Sequence, residues 1–308
     1  MPQVVKQTAK PAVKAPSPNG SILSQAIPVS ELVESYIKLV IYGQNRVGKT
    51  SLACDFPKPL LLVAFEPNKT GGAQSVKKVK GVTYLKITSS DGALKLADEL
   101  SRDTTFKTHV LDGATSLQDI LLQEILGVAT LPEMLKFKAV SGDQYRARSE
   151  KLREVLRPFL NLNAHTVVLA KEKDHNPPKG DEIWEGYGKR KVAPKIDEMR
   201  VESFFAADVG SATAGWLHDA CDYIARLYLA KKIKVTQQEV VVGNEKQTIT
   251  TEEDTGKVVH RLRTLYHPNY AAGFRSCNPS KVPEYIELPE GGDYNGKAFA
   301  LIKAVIDG

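Results

Sequence analysis

The sequence predicts an α/β protein with a mostly parallel central sheet, flanked by helices and carrying a β-hairpin excursion toward its C-terminal end. Short continuous apolar runs at Tyr36–Tyr42, Pro59–Phe65 and Thr166–Ala170 read as strands buried on both faces, the habit of parallel sheets. Segments of helical periodicity separate those runs, and strands alternating with helices build a layered α/β architecture. A glycine-bounded loop, Gly43-Gln44-Asn45-Arg46-Val47-Gly48-Lys49-Thr50 followed by Ser51, joins the first run to a helix start at Thr50–Asp55.

Residues 1–34 are expected to form a flexible basic tail and linker, and residues 35–308 the folded domain. The first twenty residues are rich in Pro, Ala, Lys and Ser and hold no acidic residue, so they cannot bury enough surface to order themselves. Ser30 is placed to cap a brief helical turn at Glu31–Glu34. After the glycine loop, the Pro59–Phe65 run closes at Glu66-Pro67, and Val82–Ile87 is a further strand. Gly92–Leu100 has helical spacing in Leu94, Leu96, Ala97 and Leu100, and Thr108–Asp112 is a short strand ending in a carboxylate. Leu117–Leu126 and Tyr145–Leu162 read as helices, the second with a charged outer face. From Lys171 to Arg200 the chain turns polar and basic, and a loop of that length inside a domain is usually functional or disordered. Asp222–Ala230 is strand-like, Glu239–Thr251 forms a hairpin turning at Gly243-Asn244, and Val258–Tyr266 supplies a partner strand. Ala298–Ile306 closes the chain as an amphipathic helix.

Composition narrows the class. The 308 residues carry 42 Lys+Arg against 36 Asp+Glu, a net charge of +6 that permits a polyanionic partner without requiring one. Cys54, Cys221 and Cys277 are far apart and form no C-x-x-C pair, which argues against a disulfide framework or a zinc site and favours a reducing, cytoplasmic compartment. No apolar stretch has the length of a membrane span or of a secretory leader core.

The loop from Gly43 to Ser51 fits the G-x-x-x-x-G-K-[ST] pattern in full. Its glycines let the backbone curl until successive N–H groups point at phosphate oxygens, and the following helix start adds partial positive charge. Lys49 then contacts the β- and γ-phosphates, and Thr50 holds Mg²⁺ through its hydroxyl. Hydrolysis further needs a carboxylate on the metal side, a group that activates water, and a cation for charge developing on the γ-phosphate. Asp112, at a strand end, suits the metal side, with a helix cap for the segment near Ser116 as the alternative. Glu66 ends the strand after the loop's helix and suits activation of water, with an ordinary surface glutamate as the alternative. A switch GTPase is disfavoured, because position 115 is Thr where D-x-x-G requires Gly, and Asn68-Lys69-Thr70-Gly71 lacks the guanine-reading Asp. No LSGGQ-like signature is present, which disfavours a transporter ATPase and leaves adenine as the expected base.

Taken together, these residues resemble the RecA-like P-loop ATPases, in particular the small AAA-like nucleotide-binding proteins that phages encode for single-strand annealing or recombination. The resemblance spans roughly residues 35–300. It implies a RecA-like core in which Glu66 is the catalytic glutamate and Asp112 the Walker B aspartate. It also implies a γ-phosphate sensor near Lys171, in the string Ala170-Lys171-Glu172-Lys173, where such phage proteins often carry a His, and a DNA-binding loop following it. Arginines at Arg261-Leu262-Arg263 or Ala272-Gly273-Phe274-Arg275 match the positions from which the resemblance implies that Arg263 or Arg275 reaches a neighbouring subunit's γ-phosphate. An exposed sheet-edge arginine is the alternative. Leu23-Ser24-Gln25-Ala26 has the spacing of the peptide that joins subunits in RecA-like filaments.

In the basic segment Lys179, Lys189, Arg190, Lys191 and Lys195 suit phosphate neutralisation, and Trp184 and Tyr187 offer stacking faces. Asp181, Glu182, Glu185, Asp197 and Glu198 offset much of that charge, so a solvated loop is the alternative. Lys136 and Lys138 mark a second, weaker candidate. The sequence therefore leads to an ATP- and Mg²⁺-dependent ATPase that binds single-stranded DNA and supports phage recombination or annealing. Its expected partners are further copies of itself in a filament or ring and a phage single-strand-binding protein, in the host cytoplasm. A nucleotide-dependent switch acting on a protein partner without DNA is the alternative reading.

Overall fold

The computed structural model describes residues 36–65, 71–129, 131, 140–174, 205–209, 211–242, 245–292 and 294–308. The chain divides into Met1–Ser35 and Tyr36–Gly308, and every described residue belongs to the second unit. The strand β1 (Lys38–Gly43) leads through the glycine loop into α1 (Lys49–Ala53), and β2 (Leu60–Ala64) is followed by a 3₁₀ turn at Gly71–Val76. Next come β3 (Val82–Lys86), α2 (Ser90–Arg102), β4 (Thr108–Asp112), α3 (Ala114–Leu126), α4 (Gly142–Leu160) and β5 (His165–Asp174). The chain continues with β6 (Phe205–Ala207), α5 (Ser211–Ala220), β7 (Tyr223–Val242), β8 (Glu245–Arg263), β9 (Gly273–Phe274), β10 (Tyr285–Glu287) and α6 (Lys297–Asp307).

The sheet is mixed but mostly parallel. Strands β3, β2, β4, β5, β1 and β7 lie side by side in that order, all parallel, and β8 and β10 continue the sheet antiparallel beyond β7. β6 adds to the far end of β5, and β9 to the start of β7. β1 sits inside the sheet, paired from Lys38↔Thr166 to Gly43↔Lys171 on one side and from Leu39↔Tyr223 to Tyr42↔Arg226 on the other. That position explains its near-uniform apolar sequence, since Leu39, Val40, Ile41 and Tyr42 are all buried.

Helices cover both faces. One core joins Val40, Tyr42, Val63, Leu111 and Val168 to Leu96, Leu117, Leu156, Phe159 and Leu217 from α2 to α5. The other joins Leu39, Ile41, Leu62 and Leu169 to Leu52 and Phe56 around α1 and to Ala298 and Ile302 of α6. Side chains of the same segment cap two of the helices: Ser89 accepts from Gly92 N–H at α2, and Ser141 and Gln144 form a reciprocal capping box at α4. α6 opens after Gly296 at φ 83° with no cap of its own, and Asp55 replaces one by accepting from the N–H groups of Gly296 and Phe299. Lys38, at the start of β1, ties that strand to the turn before β5, where its ammonium donates to the carbonyls of Leu162 and Ala164 and to Thr166 Oγ1. Among the described residues, no helix is long and apolar enough to cross a membrane.

The fold class expected from the sequence is the one observed. The hairpin differs in scale, because Asp222–Ala230, Glu239–Thr251 and Val258–Tyr266 merge into two strands paired almost continuously from Arg226↔Arg263 to Val242↔Glu245. Register is interrupted only between Lys231 and Ile233, opposite Thr255-Gly256-Lys257. The polar stretch around Lys231–Lys234 hides the continuity, since a two-stranded ribbon has no core to impose an apolar face. The helix α5 was not anticipated either. Its sequence SATAGWLHDA is short and contains Gly215, and tertiary burial of Ala214 and Leu217 overrides that weak propensity.

β4 carries a buried charge-capable group. His109 is 1% exposed, and neither ring nitrogen has a hydrogen-bond partner among the described residues. Burial, with Lys38 nearby, pushes its pKa down from 6.5 to about 4, although Asp103 acts the other way. Above pH 6.5 both folded and unfolded chains hold it neutral. Below that value the unfolded chain takes up a proton and the folded chain does not, so stability falls as pH drops from 6.5 toward 4. The loss expected from this group is on the order of 2–3 kcal/mol. Urea unfolding of wild type and His109→Leu across pH 4–7 checks this, the variant showing a flatter dependence.

Candidate functional site

The glycine loop leaves the C-terminal end of β1 and curls back into α1. Arg46 at φ 64° and Gly48 at φ 89° make the left-handed turns that the curl needs. Gly43 is required for a different reason: a Cβ there would lie 2.2 Å from the carbonyl oxygen of Leu227 in β7. Residues 43–51, singled out by their pattern, thus form a single backbone cradle at the C-terminal end of β1.

Lys49 folds onto this cradle. Its ammonium donates to the carbonyl oxygens of Gly43 at 2.9 Å and Gln44 at 2.7 Å. Burial lowers its pKa to about 8, with the Asp112 and Glu172 carboxylates pulling upward and Lys171 downward. Thr50, one residue on, donates its hydroxyl to Asp112 Oδ2 at 2.9 Å. Asp112 does not cap α3, whose N-cap is Gly113 at φ 103° with no side-chain cap bond. Its carboxylate faces the loop helix instead.

The pair suits Mg²⁺ in its chemistry: a hydroxyl and a carboxylate oxygen, both hard donors, beside a phosphate cradle. Among the described residues there is no cluster of three or more His, Cys, Asp or Glu to cage an ion. An ion held here therefore keeps most of its ligands from water and phosphate, as Mg²⁺ does. A bound Mg²⁺ would supply charge neutralisation at the phosphates; Thr50 and Asp112 would hold it, and Lys49 would meet the phosphate oxygens. Gly72 closes the pair from the other side. A Cβ on Gly72 would lie 2.0 Å from Thr50 Oγ1 and 2.7 Å from Asp112 Oδ2.

Lys171 stands opposite Gly43 in the β1–β5 register, which puts its backbone at the loop's root. Thr115 in α3 fixes that position. Its hydroxyl accepts from Lys171 N–H at 3.1 Å and donates to the Asp208 carbonyl at 3.0 Å. Beside Lys171, Glu172 forms a bidentate pair with Arg226, at 2.7 and 3.0 Å, and the Arg226 guanidinium lies 4.0 Å from the Tyr270 ring centroid. On the other flank, His260 of β8 lies against Gly48.

The two arginines fall apart. Arg263 is in register with Arg226 and near the loop's level, but it is 9% exposed and its guanidinium is held 2.8 Å from Glu284 of its own chain. It is thus not an exposed sheet-edge residue, since β10 covers that side of β8. Arg275 follows β9 and pairs with Asp222 at 2.6 Å, at the N-terminal edge of the parallel strands and away from the loop. Phe65 N–H donates to the Asp112 carbonyl, so β2 ends beside β4, but Glu66 itself lies outside the described residues. So do Lys179, Trp184, Tyr187, Lys189, Arg190, Lys191 and Lys195, the Lys136–Lys138 stretch and Leu23–Ala26.

The roles of Gly72, Thr115, the Glu172–Arg226 pair and His260 escaped the sequence reading. The Gly71-Gly72 doublet was a usable signal for close backbone approach; the others depend on register between distant strands. A family model described as an AAA domain matches residues 35–258, most of the chain. No curated protein matches the sequence.

The contact at Gly72 sets a steric test. In Gly72→Ala the added methyl must displace the Gly71–Val76 turn or break the Thr50–Asp112 bond. The expected result is a loss of about tenfold or more in ATP affinity with Mg²⁺, and little change with EDTA present. Titration calorimetry under both conditions reads it directly.

Proposed function

The chain belongs to the AAA domain family, and from that premise we propose that it is a Mg²⁺-dependent ATPase whose turnover is coupled to single-stranded DNA, in phage recombination or strand annealing. The observation that carries the ATPase part is the 2.9 Å contact between Thr50 and Asp112 beside a cradle that already holds Lys49. In this scheme Lys49 binds the phosphates, Thr50 and Asp112 hold the metal, and Glu66 polarises the attacking water. Support for the Glu66 role is its place in the sequence directly after Phe65, whose N–H bonds to Asp112. The DNA part draws on the cations and aromatics between Lys179 and Lys195, in the sequence that follows β5. Lys171 is the γ-phosphate sensor of the scheme, and Arg275, whose side chain is exposed, is the arginine that would act from a neighbouring copy in a filament or ring, since Arg263 is buried against Glu284.

Hydrolysis measured with and without single-stranded DNA tests the scheme. Wild type is expected to be stimulated by DNA, Glu66→Gln to bind ATP with turnover lost, and Lys49→Ala to lose ATP binding. Tight ATP binding by Lys49→Ala would overturn the assignment, and hydrolysis indifferent to DNA would favour a switch acting on a protein partner.

The lowered Lys49 pKa adds a pH signature. Bound phosphate holds Lys49 protonated, whereas the free protein loses that proton near pH 8. ATP affinity is therefore expected to be level below about pH 8 and to weaken by up to about tenfold per unit above it. Calorimetry in buffers of different ionisation enthalpy should show proton uptake on binding in that range.

A further inference from the structure

The strand order makes the two flanks of the glycine loop unlike. Toward β5 and β4 stand Lys171 and Asp112, the latter bonded to Thr50. Toward β7 and β8 the flank is built differently, because β7 runs past the end of β1. Leu227 meets Gly43, and Tyr228 and Leu229 continue alongside Gln44–Val47, lining with Arg226 a cavity of about 180 Å³. His260 pairs across from Leu229, and its imidazole faces the loop: a methyl built on Gly48 would lie 3.6 Å from Nε2 and 3.8 Å from Cδ2. Leu229 is 53% exposed and Val258, on the same stretch of β8, is 63% exposed, while Leu227 and Leu262 below them are fully buried. An imidazole and aliphatic surface is thus presented beside the phosphate cradle without closing any core.

We infer that His260 and Leu229 form the seat of the nucleobase, a proposal that rests on the nucleotide reading above. The metal side of the site is fixed at Thr50 and Asp112, on the β4 flank. A nucleotide whose terminal phosphates lie there leaves the loop with its nucleoside on the opposite flank, over the β7–β8 stem. A base needs a flat surface with few polar groups, and an imidazole beside an exposed leucine supplies one. His260 acts here through its ring face, and the seat takes a purine by contact area.

The full chain and two ligands test this: ATP, and inorganic tripolyphosphate, which has the phosphates without a base. Both are titrated with Mg²⁺. His260→Ala and Leu229→Ser are each expected to weaken ATP binding about tenfold and to leave tripolyphosphate binding within about twofold. His260→Phe, which keeps a ring, is expected to hold ATP affinity near wild type. Equal losses for both ligands would mean that His260 only props Gly48 and would overturn the proposal, as would unchanged ATP affinity in His260→Ala. If wild type binds neither ligand, the phosphate-loop reading itself fails and the base seat with it. If wild type binds both and only the variants disobey, the base seat alone fails.

Discussion

The position of the glycine loop depends on a close approach between two backbones. At the end of β1, Gly43 leaves no room for a side chain against the Leu227 carbonyl, and this contact sets where β7 stands relative to the loop. With β5 paired on the other side, the loop is gripped at its root from both directions. Any residue larger than glycine would push β7 outward and carry Leu229 and His260 with it. The cradle's shape is thus a property of the sheet as much as of the loop's own sequence.

A second tie links the two strands that flank β1. Glu172 and Arg226 pair across the end of β1 with side chains 6% and 13% exposed, and Tyr270 stacks on the guanidinium. A pair this buried contributes little net stability, because desolvating both charges offsets most of their attraction. Losing one partner would cost about 3–5 kcal/mol, since it strands the other charge in the interior. What the pair does is fix geometry. It ties the strand bearing Lys171 to the strand bearing Leu229 across the end of β1.

How far the sequence could reach follows from this. The loop at 43–51, the strand ending at Asp112 and the helices at 92–100 and 145–162 are encoded by contiguous residues, and local pattern found them. Asp112 was expected on the metal side from its position at a strand end, and the structure puts its carboxylate against Thr50. Thr115 entered the sequence reading only as a misfit to a GTPase pattern, yet its hydroxyl anchors the Lys171 backbone. His260 looked like one polar letter in a strand, because nothing near it in sequence says that Gly48 lies opposite. Gly72 had a visible signal in its doublet, but its partner atoms come from two separate elements. Long-range register is the information a single sequence does not display.

That same register governs when the site can exist during synthesis. β1 pairs with residues 166–171 and 223–226, and only the second pairing brings Leu227 against Gly43. The glycine loop leaves the ribosome early, but its two walls are made more than a hundred residues later. Contacts this distant are slow to close, because the chain must give up loop entropy before they form. A nascent chain ending short of β7 holds the whole phosphate-binding motif and the β5 wall, but not the wall that meets Gly43. Nucleotide binding therefore arrives late, as a marker that the sheet has been completed around its central strand.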